Sequence, residues 1–123
     1  MGDWGNHAWE TDEGADWFGR FWAEGWPLLI AEIKSFDPVE ERYEQFRAAA
    51  HVLASFGSPF MVPSRYVDEL AALLRKSIEV LGHMIAPPSD DWTFLELWGG
   101  DEAVKDDVST QIAALQATLA RLP

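Results

Sequence analysis

The feature that most constrains this chain is an unbroken stripe of apolar residues at helical spacing. Between Ser64 and the Pro87-Pro88 pair, apolar side chains recur every three or four residues, at Val67, Leu70, Leu74, Ile78, Leu81 and Ile85. This period places them on one face of an α-helix, which ends before the prolines because the residue preceding a proline disfavours helical backbone. The stripe therefore predicts a helix with one face in a core.

Two further stretches show the same period. After Asp101, a residue that can cap a helix, apolar positions recur within an alanine-rich run, at Val104, Val108, Ile112, Leu115, Leu119 and Leu122. After residues 37–40 (Asp-Pro-Val-Glu), which are typical of a helix start, they recur at Tyr43, Phe46, Ala50 and Leu53. Gly57 and Pro59 would end that helix. We expect one helix from each stretch. The helix that follows Asp37 should begin at Pro38.

Weaker signals precede these stretches. Thr11 or Asp12 can cap a helix that Gly25 and Pro27 would end. Residues 28–36 are apolar enough for a buried helix or a strand, and their alanine, glutamate and lysine favour a helix.

A short helix is also expected near the end of the chain. Asp90 or Asp91 can cap it, and Gly99-Gly100 would end it. No alternating strand pattern of useful length remains. The sequence thus predicts one all-α domain over residues 1–123, a compact bundle of five to six helices with a tryptophan- and glycine-rich N-terminal arm packed on it.

The first ten residues, MGDWGNHAWE, show no helical stripe. Gly2 and Gly5 flank Trp4, which suits a bent, closely packed backbone, so we expect an extended arm. An indole buries on the order of 150 to 250 Å², so Trp4 and Trp9 would stabilise the fold by several kcal/mol if the arm covered the core. The alternative is a tryptophan-lined recognition patch, since tryptophan is enriched where interfaces concentrate their binding energy.

The chain has 21 acidic and 9 basic side chains, a formal net charge of −12. Such a surface repels nucleic acid and anionic lipid, which leaves a basic protein as the natural partner. Acidity that only maintains solubility is the alternative. Because the sequence has no cysteine, no long apolar run and no secretory leader, we expect a cytoplasmic protein without disulfides or membrane segments.

No residue cluster has the spacing of a catalytic or metal site. His7, His51 and His83 lie far apart, and Glu79 with His83 on one helix face supplies at most half of a metal site. No glycine loop leads to a phosphate-binding lysine, and no serine lies in a nucleophile elbow. We therefore expect no catalytic residue, no metal and no cofactor.

The acidic residues are segregated along the chain. They are concentrated in residues 3–16 and 90–107, and both segments also contain tryptophan. We expect these segments to supply the partner-binding residues: Asp3, Glu10, Asp12, Glu13, Asp16, Asp90, Asp91, Trp92, Glu96, Asp101, Glu102, Asp106 and Asp107. Glu40 and Glu44, one turn apart at a helix start, are explained by the helix dipole.

The opening MGDWGNHAWETDEGADW resembles the Met-Gly-x-Trp-Gly start of a bacterial family, the domain of unknown function 4259. RAAAHVLASFGSP and LELWGGDEAVKDD resemble that family's alanine-rich helix and its Glu-Leu-Trp turn before the last helix. The resemblance spans nearly the whole chain and implies signature positions that we expect to be structural: Gly2, Trp4, Gly5, Trp9, Ala15, Trp17 and Trp98. It also implies that the two acidic segments lie side by side as one negative face.

Some members of that family lie beside secreted bacterial toxins, which implies that this chain neutralises one. The leading hypothesis is a non-catalytic immunity protein that binds a basic toxin. Two alternatives stay open. One is a small metal- or carboxylate-dependent hydrolase built around His7, and the other is a housekeeping domain whose acidity serves solubility alone.

Overall fold

The computed structural model describes residues 5–123, which form an all-α fold, as predicted. Its helices are α1 (Asp12–Glu24), α2 (Trp26–Lys34), α3 (Tyr43–Phe56), α4 (Leu70–Ile85), α5 (Phe94–Leu97) and α6 (Glu102–Ala120). Short 3₁₀ turns precede α1, α3 and α4, at Ala8–Glu10, Pro38–Glu40 and Ser64–Glu69. Within residues 5–123 there is no β-strand, and no helix has the length and apolar character that a membrane crossing requires.

Helix α3 lies at the centre of the fold. Ala48, Ala49 and Ala50 are consecutive and all fully buried, so this helix is covered on every side rather than along one stripe. It packs against α1, α2, α4 and α6. Its alanines let these neighbours approach closely, and larger side chains fill the remaining core: Trp17, Phe46, Leu53, Leu74, Leu81, Met84, Phe94, Val108 and Leu115.

Local caps explain where the first and last helices begin. Oγ1 of Thr11 accepts a hydrogen bond from the backbone N–H of Gly14 (3.0 Å) at the start of α1. The carboxylate of Asp101 accepts one from the backbone N–H of Ala103 (2.8 Å) at the start of α6. Gly25, with a φ of 75°, follows the last residue of α1. These predicted boundaries are confirmed.

The predicted helix start at Pro38 is wrong. Asp37 does cap a turn there, but the turn ends after three residues and Glu41 adopts left-handed backbone with a φ of 55°. Helix α3 begins only afterwards. Arg42 at this break donates two hydrogen bonds to the carboxylate of Glu32 on α2 (2.7 and 3.1 Å), so a tertiary contact stabilises the interruption.

Other boundaries shift by about a turn. Pro27, expected to end α1, lies in the first turn of α2, where its missing N–H breaks no helical hydrogen bond. Ser64 opens a 3₁₀ turn rather than α4 itself, and neither Asp90 nor Asp91 is the residue that caps α5. The arm is not extended throughout, because Ala8–Glu10 form a turn before α1.

Gly14 marks the place where this turn packs against α1. A Cβ at Gly14 would overlap the backbone oxygen of Ala8, whereas a Cβ at Gly19, in the same helix, would meet nothing within 4 Å. We expect Gly14→Ala to lower the free energy of unfolding by at least about 2 kcal/mol, because the backbone must shift. The control, Gly19→Ala, should raise it by about 0.5–1 kcal/mol through helix propensity. Urea denaturation measures both, and equal effects would contradict the close packing.

Candidate functional site

A buried arginine joins the N-terminal arm to the helical core. The side chain of Arg47, on α3, is fully buried. Its Nη2 donates to the backbone oxygen of Asn6 in the arm (2.7 Å) and to Oδ2 of Asp107 on α6 (2.7 Å). Its Nε donates to Oε1 of Gln111 (3.0 Å), and its Nη1 donates to both carboxylate oxygens of Glu44 (3.2 and 3.1 Å). One guanidinium therefore connects the arm, α3 and α6.

The arm lies along the first turns of α6. Nδ2 of Asn6 donates to the backbone oxygen of Ala103 (3.0 Å). Nδ1 of His7 donates to Oδ1 of Asp107 (2.6 Å), and the His7 ring stacks on that of Trp9 with centroids 4.5 Å apart. For its described residues, the arm packs on the helical body as predicted.

The predicted signature positions lie in different environments. Gly2 and Trp4 fall outside the described residues. Trp17 is 1% exposed and belongs to the core. Trp9 is 42% exposed and packs on His51 at a ring distance of 4.8 Å, so it covers the surface of α3 rather than filling the core. Half-buried signature positions are Gly5, Ala15 and Trp98.

The two acidic segments meet through the arm and α6. The contacts described above place the arm beside the residues that follow Asp101, as the resemblance implies. The Asp90–Asp91 turn follows the end of α4 instead, and Trp92 next to it packs on Phe36 (5.6 Å) and His83 (5.1 Å). Asp3 lies outside the described residues.

The predicted partner-binding carboxylates differ in how far they are available to a partner. Some are held by hydrogen bonds or ion pairs within the chain: Glu10, Asp101, Glu102 and Asp107. Others are exposed to solvent: Glu13, Asp16, Asp90, Asp91, Glu96 and Asp106. Asp12 is exposed as well, but it also interacts within the chain. Asp107, which neutralises Arg47, has a structural role in the folded chain.

An acidic groove of about 490 Å³ opens beside this network, where α1, α3 and α5 approach one another. Its carboxylates are Glu13, Glu40, Glu41 and Glu44. Its apolar floor consists of Phe94, Leu97 and Trp98. A smaller cavity of about 170 Å³ shares Glu13 and continues the groove to Asp16. We call these two cavities together the acidic groove.

The arginines that border the acidic groove have carboxylate partners elsewhere. Arg42 bonds to Glu32, and Arg20 donates to Glu24 (2.8 Å). These hydrogen bonds raise the pKa of each arginine, and both remain charged. No ion pair among residues 5–123 involves the exposed carboxylates of the groove, Glu13, Asp16, Glu40 and Glu41. The groove therefore has a negative potential.

The buried network also holds the floor of the groove. Nε1 of Trp98 donates to Oε1 of Glu44 (3.1 Å), the same carboxylate that accepts from Arg47. The Arg47 guanidinium lies 5.8 Å from the ring centroid of Phe94, a cation–π contact. The docking of the arm and the shape of the groove therefore depend on one side chain.

Sequence reasoning missed the α3 side of this groove. It explained Glu40 and Glu44 by the helix dipole and did not select Glu41, whose left-handed backbone lies at the groove. It did not select Arg47 either. The available signals were the acidic density of EERYE and a charged residue that opens an alanine run, RAAAH.

Metal ligands do not converge in the described part of the chain. No three histidine, aspartate or glutamate side chains among residues 5–123 are placed to hold an ion.

The chain matches no known protein-family model, no curated protein and no solved structure. The resemblance to the domain of unknown function 4259 family stays a prediction.

We expect Arg47→Met to lower the free energy of unfolding by about 3–5 kcal/mol, because it leaves Glu44 and Asp107 without their buried counter-ion. Asp107→Asn should relieve part of this loss in the double variant, since the two residues act as a pair. Thermal or urea unfolding of the two single variants and the double variant measures the coupling. Strict additivity would show that Arg47 and Asp107 do not depend on each other.

Burial against Trp9 and Phe18 lowers the pKa of His51 below its ordinary value of 6.5, because desolvation disfavours the charged imidazole. The unfolded chain then binds more protons than the folded one as the pH falls below 6.5. The contribution of His51 to stability is therefore complete above pH 6.5, and it is lost as the pH falls through the lower pKa of the folded state. His51→Gln should lose less stability on acidification than the wild type. Parallel stability–pH curves would contradict the shift.

Proposed function

We propose that this chain is a non-catalytic immunity protein that acts in the bacterial cytoplasm and neutralises a basic toxin by binding it. The observation that carries the proposal is the acidic groove, which combines exposed carboxylates with an apolar floor while its bordering arginines are paired elsewhere. The family resemblance supplies the toxin context.

The groove suits an arginine or lysine side chain from the partner. Its charged end can meet Glu13, Glu40 and Glu41, and its aliphatic stem can pack on Leu97 and Trp98. Leu97 is 58% exposed, so this apolar surface is accessible. An indole face adds attraction for a guanidinium.

Long-range charge supports the same partner. A chain with a net charge of −12 attracts a cationic protein before contact. Such steering raises association rates by about 10- to 10³-fold at low ionic strength, and salt screens it. If the acidity served solubility alone, binding would not depend on which carboxylates are present.

We expect Glu40→Lys with Glu41→Lys to slow association with the cognate toxin by about tenfold or more at low salt, and by less at high salt. The binding partner for this test is the product of the reading frame next to this chain's gene, and stopped-flow or surface plasmon resonance measures the rate. Asp68→Lys with Glu79→Lys is the matched control, because it changes the net charge equally at exposed positions outside the groove.

Equal slowing by the two variants would show that only total charge matters and would remove the groove from the proposal. Absence of binding heat between the wild-type chain and that neighbouring product at micromolar concentrations would count against the immunity function itself.

One observation favours the alternative, a small hydrolase. Asp107 accepts a hydrogen bond from Nδ1 of His7, the arrangement that orients a general base, and Nε2 of the same ring lies 3.6 Å from Oε1 of Glu10. The groove variant separates the two functions. A hydrolase centred on His7 would keep its activity when Glu40 and Glu41 are changed, whereas protection by a binder would weaken.

A further inference from the structure

Large apolar side chains that do not line the acidic groove are exposed on α1 and on the end of α3 with the loop that follows it. Trp22, near the end of α1, is 81% exposed, and Phe60 and Met61, in the loop after α3, are 97% and 54% exposed. Phe56, at the end of α3, is 39% exposed. We call these residues the apolar patch.

The apolar patch contains a small pocket. Trp22, Phe56 and Met61 line it together with Phe21 and Trp26, and its volume is about 200 Å³. This is below the range of about 300–1,000 Å³ typical of small-molecule sites, but a single aromatic side chain fits. Phe60 does not line this pocket; it lines a second cavity together with Thr118 and Leu122. The patch therefore offers a pocket and, one residue before Met61 in the loop, an exposed aromatic side chain.

Hydrogen bonds order the backbone of the loop that carries Phe60. The backbone N–H of Phe60 donates to Oγ of Ser58 (3.2 Å), and the N–H groups of Met61 and Val62 donate to the backbone oxygen of Ser58 (3.0 and 2.9 Å). Val62 is 5% exposed and anchors the loop in the core. Because the turn is already ordered, binding through Phe60 loses little conformational entropy.

Charge determines which partner fits this surface. No aspartate or glutamate occurs from Gln45 to Val67, although the chain carries a net charge of −12. Glu24, near Trp22 on α1, is bound to Arg20. Two copies of such an acidic chain repel each other least when they meet through this face.

We propose that the apolar patch is a symmetric homodimer interface, in which Phe60 of each copy fills the pocket lined by Trp22 of the other. In a dimer with a two-fold axis both insertions form at once, because the patch of each copy supplies an inserted side chain and a pocket. An aromatic side chain can bury about 150–250 Å². Scaled by the exposed fractions given above, the apolar patch exposes roughly 500 Å² of side-chain surface per copy. Complete burial of these residues in two copies would remove about 1,000 Å² from water, the size at which specific interfaces begin.

The test is the molar mass of the purified chain by light scattering and sedimentation from about 1 to about 300 μM, the range of modest affinities. The wild type should approach twice the chain mass of 13.8 kDa, and added salt should strengthen the dimer because it screens the repulsion between copies. Phe60→Asp and Trp22→Asp should each weaken it by at least about thirtyfold. Val39→Asp, at another exposed apolar position, is the matched control and should leave it unchanged.

Mixing the two variants tests the geometry. A heterodimer of Phe60→Asp with Trp22→Asp regains one of the two insertions, since an intact Phe60 meets an intact pocket. It should therefore form more tightly than either variant alone. A wild type that stays monomeric over this range, a dimer that only Val39→Asp disrupts, or a mixture no tighter than its components would each overturn the proposal. Circular dichroism melts confirm that all variants are folded.

Discussion

The fully buried charge of Arg47 is the constraint on which the rest of the structure depends. Removing a guanidinium from water costs several kcal/mol, which only well-placed oxygen partners offset. Here they come from the arm, from α3 and from α6, through Asn6, Glu44, Gln111 and Asp107. If the arm or α6 moves away, the buried guanidinium loses one or more of its hydrogen-bond partners. This explains why residues 5–10 have a defined place although the sequence there shows no helical stripe.

The distribution of charge divides the surface into two regions with different chemistry. Where α1, α3 and α5 meet, exposed carboxylates surround an apolar floor, and the neighbouring arginines are engaged elsewhere. Between Gln45 and Val67 the sequence has no carboxylate, and there the exposed side chains of Phe60 and Met61 lie. The first region attracts a cationic protein at long range, and the second tolerates close approach of another acidic surface. A homodimer built through the second region leaves both acidic grooves open to a partner.

The predictable parts of this fold depend on local signals. The stripes of α4 and α6 and the caps of α1 and α6 act within a few residues, so the sequence locates them. The start of α3 was mispredicted because the bond between Arg42 and Glu32 depends on the position of α2. The burial of Arg47 could not be predicted for a related reason. Apolar periodicity predicts that one face of α3 is buried, whereas its small alanines let other helices pack on every side. Two further features depend on the burial of Arg47 and therefore could not be predicted either. They are the role of Asp107 as its counter-ion and the groove beside Glu44.

In the proposed complex with a basic protein, the carboxylates and the floor of the acidic groove contribute differently to binding. The exposed charges of Glu13, Glu40 and Glu41 mainly accelerate encounter, because water and salt screen them at the rim of an interface. A long-lived complex needs desolvated contact, and affinity differences between related complexes reside mostly in dissociation rates. Leu97 and Trp98 offer that contact, and Trp98 loses little freedom on binding because Glu44 already holds its indole N–H. A partner with positive charge alone would associate fast and dissociate fast. Under the proposed function, discrimination among basic proteins therefore depends on whether the stem of a basic side chain reaches this floor.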